Sequence, residues 1–170
     1  MKRIAVVGSG GAGKSTFSRE LSQIMGLPLV HLDRHFWKPG WVETPVEEWR
    51  ALQSELIAGD LWIVDGNYNR TFDIRFTRAD TVIVLALPRF LCLARALTRS
   101  LRNRGKSVQA EGCPERFDFS FYQWIWRFPI DARPHLEAAL DTHRSRLNII
   151  ELTSSRQVKD FLKSLRAPGG

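Results

Sequence analysis

The most informative segment of this chain lies close to the first residue and reads Gly8-Ser9-Gly10-Gly11-Ala12-Gly13-Lys14-Ser15-Thr16. Gly8 to Ser15 match the pattern G-x-x-x-x-G-K-[ST] in full. Glycine at these positions lets the backbone turn its N–H groups inward around phosphate oxygens. We therefore predict that Gly8, Gly10, Gly11, Ala12 and Gly13 cradle the phosphates of a nucleoside triphosphate, and we call residues 8–16 the phosphate-binding loop.

The last three residues of this loop carry the reactive side chains. We expect Lys14 to reach the β- and γ-phosphates, the Ser15 hydroxyl to ligate Mg²⁺, and the Thr16 hydroxyl to lie near the α-phosphate. The context supports the motif, because an apolar strand over Ile4 to Val7 precedes it and a helix over Ser15 to Met25 follows it. The predicted cofactors are thus ATP and Mg²⁺.

Strand and helix signals alternate along the rest of the chain, which indicates a parallel α/β sheet. We predict a three-layer α/β/α fold of the P-loop NTPase type, with a five-stranded parallel sheet and a helical lid. All 170 residues form a single domain in this interpretation. A substrate-side insertion occupies about 34–61 and includes a helix from Pro45 to Ala58, with Thr44 as its N-cap. A basic lid occupies about 99–115.

Two aspartates follow directly after predicted strands and should lie at the same edge of the sheet as the loop. Asp65 ends the strand Trp62 to Val64, a position suited to orienting hydrated Mg²⁺. Asp33 ends the second strand and could accept or orient the proton of a substrate hydroxyl. For both residues the alternative is a capping or turn aspartate. His31, on the second strand, is interpreted as a packed core residue.

The predicted helix after the strand Thr81 to Leu87 is strongly basic, with six cations and no acid between Arg89 and Lys106. Arg95 and Arg99 are one turn apart on it, so they share a face. Arginine commonly stabilises the charge of a transferring phosphoryl group, and we predict that role for both. The alternative is a solvated basic face.

The net charge of the chain favours anionic partners but does not identify which kind. The net charge of +7 suits nucleotides, phosphorylated metabolites, nucleic acid or acidic membranes. The chain holds two cysteines without metal-type spacing and no apolar run that could span a membrane. We therefore expect a soluble, cytoplasmic protein whose oligomeric state the sequence leaves open.

The residues also resemble a known family. The loop, together with Asp65-Gly66-Asn67-Tyr68-Asn69-Arg70, is similar to the nucleoside monophosphate kinase-like group that includes the adenylate kinases. The resemblance implies that Arg70 faces the acceptor's phosphate and that Arg95 and Arg99 lead into a mobile lid. It is closest to a branch labelled DNA topology modulation or adenylate kinase-like proteins. The residues that carry it are His31-Leu32-Asp33, Trp37-Lys38-Pro39-Gly40-Trp41, Asp65-Gly66-Asn67-Tyr68 and Glu111-Gly112-Cys113-Pro114-Glu115.

Two functions from different classes fit these patterns. The favoured one is ATP-dependent phosphoryl transfer to a small-molecule acceptor. The alternative is an ATP-binding regulatory protein that acts on nucleic acid through the basic lid. A GTPase is disfavoured, because no asparagine of the chain is followed by lysine, as a guanine-binding Asn-Lys-x-Asp motif requires.

Overall fold

The computed structural model describes residues 1–166, and the tail Ala167 to Gly170, which its composition predicts to be loose, lies outside them. The strands, in chain order, are β1 (Arg3–Gly8), β2 (Leu29–His31), β3 (Trp37–Lys38), β4 (Val42–Glu43), β5 (Trp62–Asp65), β6 (Thr81–Leu85) and β7 (Asn148–Leu152). The helices are α1 (Lys14–Met25), α2 (Asp33–Phe36), α3 (Val46–Leu56), α4 (Phe72–Arg78), α5 (Arg89–Arg102), α6 (Phe119–Asp131), α7 (Arg133–His143) and α8 (Ser155–Arg166).

Five strands form one sheet in the order β2-β5-β1-β6-β7, and all its pairings are parallel. Alternate residues of a strand point to opposite faces, and β1 shows this clearly. Ile4 and Val6 pack with residues of α1, α5 and α8, whereas Ala5 and Val7 pack with residues of α3, α4 and α7. Helices thus cover both faces, which confirms the predicted three-layer architecture.

The sheet brings the candidate residues to one edge. Gly8, His31 and Asp65 are the last residues of β1, β2 and β5, and β5 lies between the other two strands. His31 pairs in register with Asp65, and Val6 pairs with Asp65 on the other side. The carboxyl ends of these three neighbouring strands therefore meet at the edge of the sheet where the phosphate-binding loop begins, as predicted.

The insertion differs from its prediction. A short antiparallel hairpin of β3 and β4 precedes α3. Outside the insertion, α4 follows β5. The N-cap prediction for Thr44 is wrong, because α3 is capped at Pro45. The Thr44 side chain instead donates to the Phe36 carbonyl oxygen at 2.6 Å, which ties the chain after the hairpin to α2.

The lid is only partly helical. Helix α5 ends at Arg102, and the chain then runs through turns to the start of α6, with a single isolated bridge between Arg104 and Glu115. Pro129 lies inside α6. Within residues 1–166 no helix combines the length and the hydropathy that a membrane span requires.

Candidate active site

The phosphate-binding loop is packed tightly against the first turn of α5. A Cβ atom on Gly11 would lie 2.0 Å from the Cys92 carbonyl oxygen, and Gly11 has φ of 72°. Both the space and the backbone conformation therefore require glycine. Gly13, with φ of 91°, is the N-cap of α1. Because glycine has no side chain, no cap accepts hydrogen bonds from the N–H groups at the start of α1. These N–H groups are therefore available to bind an anion in the loop.

Lys14 lies against the first residues of the loop. Its Nζ atom donates to the Gly8 and Ser9 carbonyl oxygens, each at 2.9 Å. Burial lowers the pKa of Lys14, whereas the nearby carboxylates of Asp33 and Asp65 raise it. The structure thus brings together the lysine and both aspartates that the sequence singled out. Burial is the larger effect, so the pKa of Lys14 lies below its ordinary value.

The hydroxyl groups predicted to serve Mg²⁺ and the α-phosphate are accessible. Ser15 and Thr16, in the first turn of α1, are both exposed. Within residues 1–166 no three His, Cys, Asp or Glu side chains converge on one point. Mg²⁺ is commonly held by one or two protein oxygens together with water and substrate phosphates. The Ser15 hydroxyl on the loop and the Asp65 carboxylate at the end of β5 are oxygen ligands of the kind that this ion takes.

Asp65 has a partner that sequence reasoning missed. It is 3% exposed, and both of its carboxylate oxygens lie 3.0 Å from Nδ1 of His31. His31 is therefore not simply a packed core residue. The register of β2 against β5, which pairs these two residues directly, is the signal that could have revealed the contact. The pairing fixes the orientation of the Asp65 carboxylate toward the loop edge.

Contrary to the sequence-based prediction, Asp33 does not end the second strand: β2 ends at His31, and Asp33 is the first residue of α2. Its carboxylate accepts a hydrogen bond from the Tyr68 hydroxyl at 2.6 Å. The Tyr68 ring packs against the rings of Phe36 and Trp49, with centroid-to-centroid distances of 4.5 Å and 5.0 Å. Burial raises the pKa of Tyr68, and the Asp33 carboxylate raises it further. The phenol therefore stays protonated and holds one oxygen of Asp33 in place.

A buried arginine supports the segment that delivers Asp65 and Tyr68. Arg75 of α4 is fully buried, and its guanidinium donates to the carbonyl oxygens of Gly66 at 2.6 Å and Tyr68 at 2.9 Å. Burial lowers its pKa to about 9, so the group remains charged at neutral pH. Sequence reasoning missed Arg75, because nothing local distinguishes it from the exposed arginines.

Arg70, which the family resemblance places toward the acceptor, lies in a turn of 3₁₀ helix, Asn69–Thr71. Its side chain is exposed, and its carbonyl oxygen accepts a hydrogen bond from Arg50 at 2.9 Å. It lies on the same segment as Tyr68 but is not among the contacts of Lys14. Its role toward an acceptor stays a prediction.

The two arginines of α5 make different contacts. Arg95 donates to the Ala12 carbonyl oxygen at 3.4 Å and to the Ser155 hydroxyl at 3.0 Å, so it joins the loop to the start of α8. Arg99 is close enough to lower the pKa of Lys14. The structure therefore places both residues beside the loop, and their catalytic role stays a prediction.

The basic helix is not free of counter-charge, which corrects the sequence-based expectation. Arg99 Nε lies 3.0 Å from Oε1 of Glu115, which is 4% exposed and belongs to the far side of the lid. Gln109 donates to the same carboxylate at 2.9 Å, and Ser100 lies 3.5 Å from its other oxygen. The Arg99 guanidinium also lies 5.7 Å from the centre of the Phe121 ring. These contacts join the far side of the lid to α5 and bring Arg99 close to α6.

The insertion hairpin touches the lid directly. Gly40 N–H donates to the Gly112 carbonyl oxygen at 2.9 Å, and the Trp41 indole donates to the Pro114 carbonyl oxygen at 3.0 Å. Trp41 has φ of 64°, a conformation that a non-glycine residue rarely adopts without support from its surroundings. We call this pair of hydrogen bonds the hairpin–lid contact. It joins two segments on which the sequence resemblance depends.

The fold and the loop together define a P-loop protein of the three-layer α/β/α type. Solved structures with this architecture include shikimate kinase from Acinetobacter baumannii in complex with shikimate, with a TM-score of 0.55, 16% identity, and coverage of 97% of this chain and 90% of that one. A gluconokinase from Sinorhizobium meliloti 1021 has a TM-score of 0.52 and 14% identity, over 98% and 90% of the two chains. Identities this low bear on the fold alone.

In sequence, the chain is similar to adenylate kinase from Mycobacterium leprae, strains Br4923 and TN. The identity is 32% over 111 residues, which make up 64% of this chain and 60% of each relative. The chain thus spans about three fifths of the length of the curated relatives it matches. No protein-family model matches the chain.

Proposed function

We propose that this protein transfers a phosphoryl group from ATP to a small-molecule acceptor with the aid of Mg²⁺. The observation that carries the proposal is the position of Lys14, which lies on a complete phosphate-binding loop and close enough to Asp33 and Asp65 for both carboxylates to raise its pKa. The partial similarity to adenylate kinases supports it. Such a reaction depends on positioning and charge stabilisation rather than covalent chemistry.

Each residue has a role in this proposal. The N–H groups of residues 8–13 bind the β- and γ-phosphates, Lys14 neutralises their charge, and the Thr16 hydroxyl binds near the α-phosphate. Ser15 and Asp65 would hold Mg²⁺, which would supply positive charge to stabilise the charge that develops during the transfer. Arg95 and Arg99 stabilise the transferring group, while Asp33 and Arg70 orient the acceptor. These roles rest on the geometry described above and on the family resemblance.

The test is ADP release from the purified protein with MgATP and a panel of acceptors: nucleoside monophosphates, nucleosides, sugars and sugar acids. We expect at least one class to stimulate release above the rate with ATP alone, and Lys14→Ala to abolish that stimulation. Stimulation that survives in Lys14→Ala would mean that the phosphate-binding loop does not perform the transfer.

One observation favours a second candidate, an ATP-binding regulator of nucleic acid. The outer side of the lid carries the exposed cations Arg102, Arg104 and Lys106, and a basic surface suits phosphodiesters. The resemblance to the DNA topology modulation branch points the same way. DNA binding by the pure protein at two salt concentrations tests it, because neutralisation of several phosphates gives a steep loss of affinity with salt.

A further inference from the structure

We propose that the acceptor is an alcohol that carries no more than one negative charge, and that Asp33 takes its proton. The inference rests on the proposed phosphoryl transfer and names its substrate class. It departs from what the resemblance to nucleoside monophosphate kinases implies, because there the acceptor is a phosphate group.

The first argument is the state of the Asp33 carboxylate. One oxygen accepts the Tyr68 hydroxyl at 2.6 Å. In the part of the chain that the structure describes, no side chain donates to the other oxygen. Asp33 is only half buried, so this oxygen has access to solvent and to an incoming group. Asp65, by contrast, has both oxygens within 3.0 Å of His31. Of the two carboxylates near Lys14, Asp33 is therefore the one available to accept a proton.

The second argument is chemical. When an alcohol attacks the γ-phosphorus of ATP, its oxygen forms the new P–O bond, the bond to the β-phosphate oxygen breaks, and ADP leaves with that electron pair. The hydroxyl proton must go to a base, and a carboxylate in hydrogen-bond reach can accept it. The acceptor oxygen of a nucleotide phosphate is already ionised. It needs no base, and a carboxylate beside Lys14 would repel it.

The third argument is the charge of the insertion, residues 34–61, on the acceptor side. It contains three lysine and arginine residues and five aspartate and glutamate residues, a net charge of −2 in a chain of net charge +7. Two of the three cations are already paired. Lys38 Nζ lies 3.0 Å from Glu48, and Arg50 makes a two-pronged contact with Asp73, at 2.6 Å and 3.2 Å.

The remaining cations on this side fit a weakly charged acceptor. Arg75 is fully buried and donates to two backbone carbonyls. Arg34 and Arg70 are exposed, where solvent screens their charge. Screened cations of this kind suit an acceptor of low charge, whereas a doubly charged phosphate next to an acidic insertion would be bound poorly. The site thus selects a hydroxyl group on a neutral compound or a monocarboxylate.

Intrinsic hydrolysis of ATP tests the role of Asp33 without knowledge of the natural acceptor, because water is the simplest hydroxyl acceptor. We expect Asp33→Asn to lower the hydrolysis rate about 100-fold or more, the usual effect of removing a general base, with ATP affinity changed by less than about threefold. Asp131→Asn, a matched aspartate on the outer end of α6 paired with Arg127, should behave as wild type. Tyr68→Phe keeps the packed ring and should lower the rate less than Asp33→Asn.

The acceptor panel then distinguishes a wrong acceptor class from a wrong assignment as a kinase. Stimulation of ADP release by polyols or sugar acids but not by nucleoside monophosphates is the expected result. Stimulation by nucleoside monophosphates would overturn the acceptor class and leave the kinase assignment standing. Hydrolysis by Asp33→Asn at the wild-type rate would likewise overturn the role of Asp33. Hydrolysis and stimulation unaffected by Lys14→Ala would instead refute phosphoryl transfer at this loop.

Discussion

Removal of the Glu115 carboxylate should release the lid and destabilise the whole protein. In Glu115→Ala, Arg99 loses its counter-ion and Gln109 loses an acceptor at 2.9 Å. Breaking a buried ion pair from one side typically costs about 3–5 kcal/mol. The Arg99 side chain is 27% exposed, so water can replace part of the lost interaction. We therefore expect the free energy of unfolding to fall by about 2–3 kcal/mol, at or below the lower end of that range.

Two measurements check this expectation. A loss of about 2–3 kcal/mol should lower Tm by about 4–12 °C in a domain of this size. Hydrogen exchange in residues 103–118 of the ligand-free protein should be slow in wild type and faster in Glu115→Ala, because the segment is ordered through that carboxylate. Glu111→Ala is the matched control, since Glu111 lies in the same segment but is exposed. Equal Tm and equal exchange in the two variants would show that the Glu115–Arg99 pair does not hold the lid.

Three further predictions concern the proposed chemistry. Lys14→Ala should weaken MgATP binding by about 1.5–3 kcal/mol, the size of a charged hydrogen bond, and calorimetry that shows unchanged affinity would contradict the loop assignment. Asp65→Asn should leave ATP binding largely intact but abolish turnover with Mg²⁺; normal turnover would reduce Asp65 to a turn residue. Arg95→Ala and Arg99→Ala should each cost several kcal/mol at the transition state with little change in ATP affinity. If these variants keep full turnover, and their DNA affinity depends on salt concentration less steeply than in wild type by about one released ion, the nucleic-acid role is favoured instead.

The features that sequence predicted well have strong local signals. The loop from Gly8 to Thr16 combines an apolar strand, a glycine-rich turn and a helix in one continuous stretch. Strand β5 is likewise a short apolar run that ends in an acid, and the structure extends it by one residue to include Asp65. The order of helices and strands follows from such runs, and the parallel sheet follows from their alternation.

The features that sequence missed depend on distant partners. Arg99 and Glu115 lie at opposite ends of the lid segment, and they pair because the lid folds back on α5. An arginine in the sequence suggests an exposed side chain, but α4 buries Arg75 and places its guanidinium within hydrogen-bond distance of the Gly66 carbonyl oxygen. Pro129 lies inside α6 although proline disfavours helix, because Ile125 and Phe128 bury the same helix against the domain. In each case tertiary packing outweighs a local preference.

The hairpin–lid contact has a thermodynamic consequence for the two ligand sites. Gly40 and Trp41 belong to the acceptor-side insertion, and their partners Gly112 and Pro114 precede the carboxylate that holds Arg99. An acceptor that shifts the hairpin would therefore also change the strength of the ion pair between Arg99 and Glu115. Such linkage is reciprocal: the factor by which the acceptor changes the affinity for ATP equals the factor by which ATP changes the affinity for the acceptor.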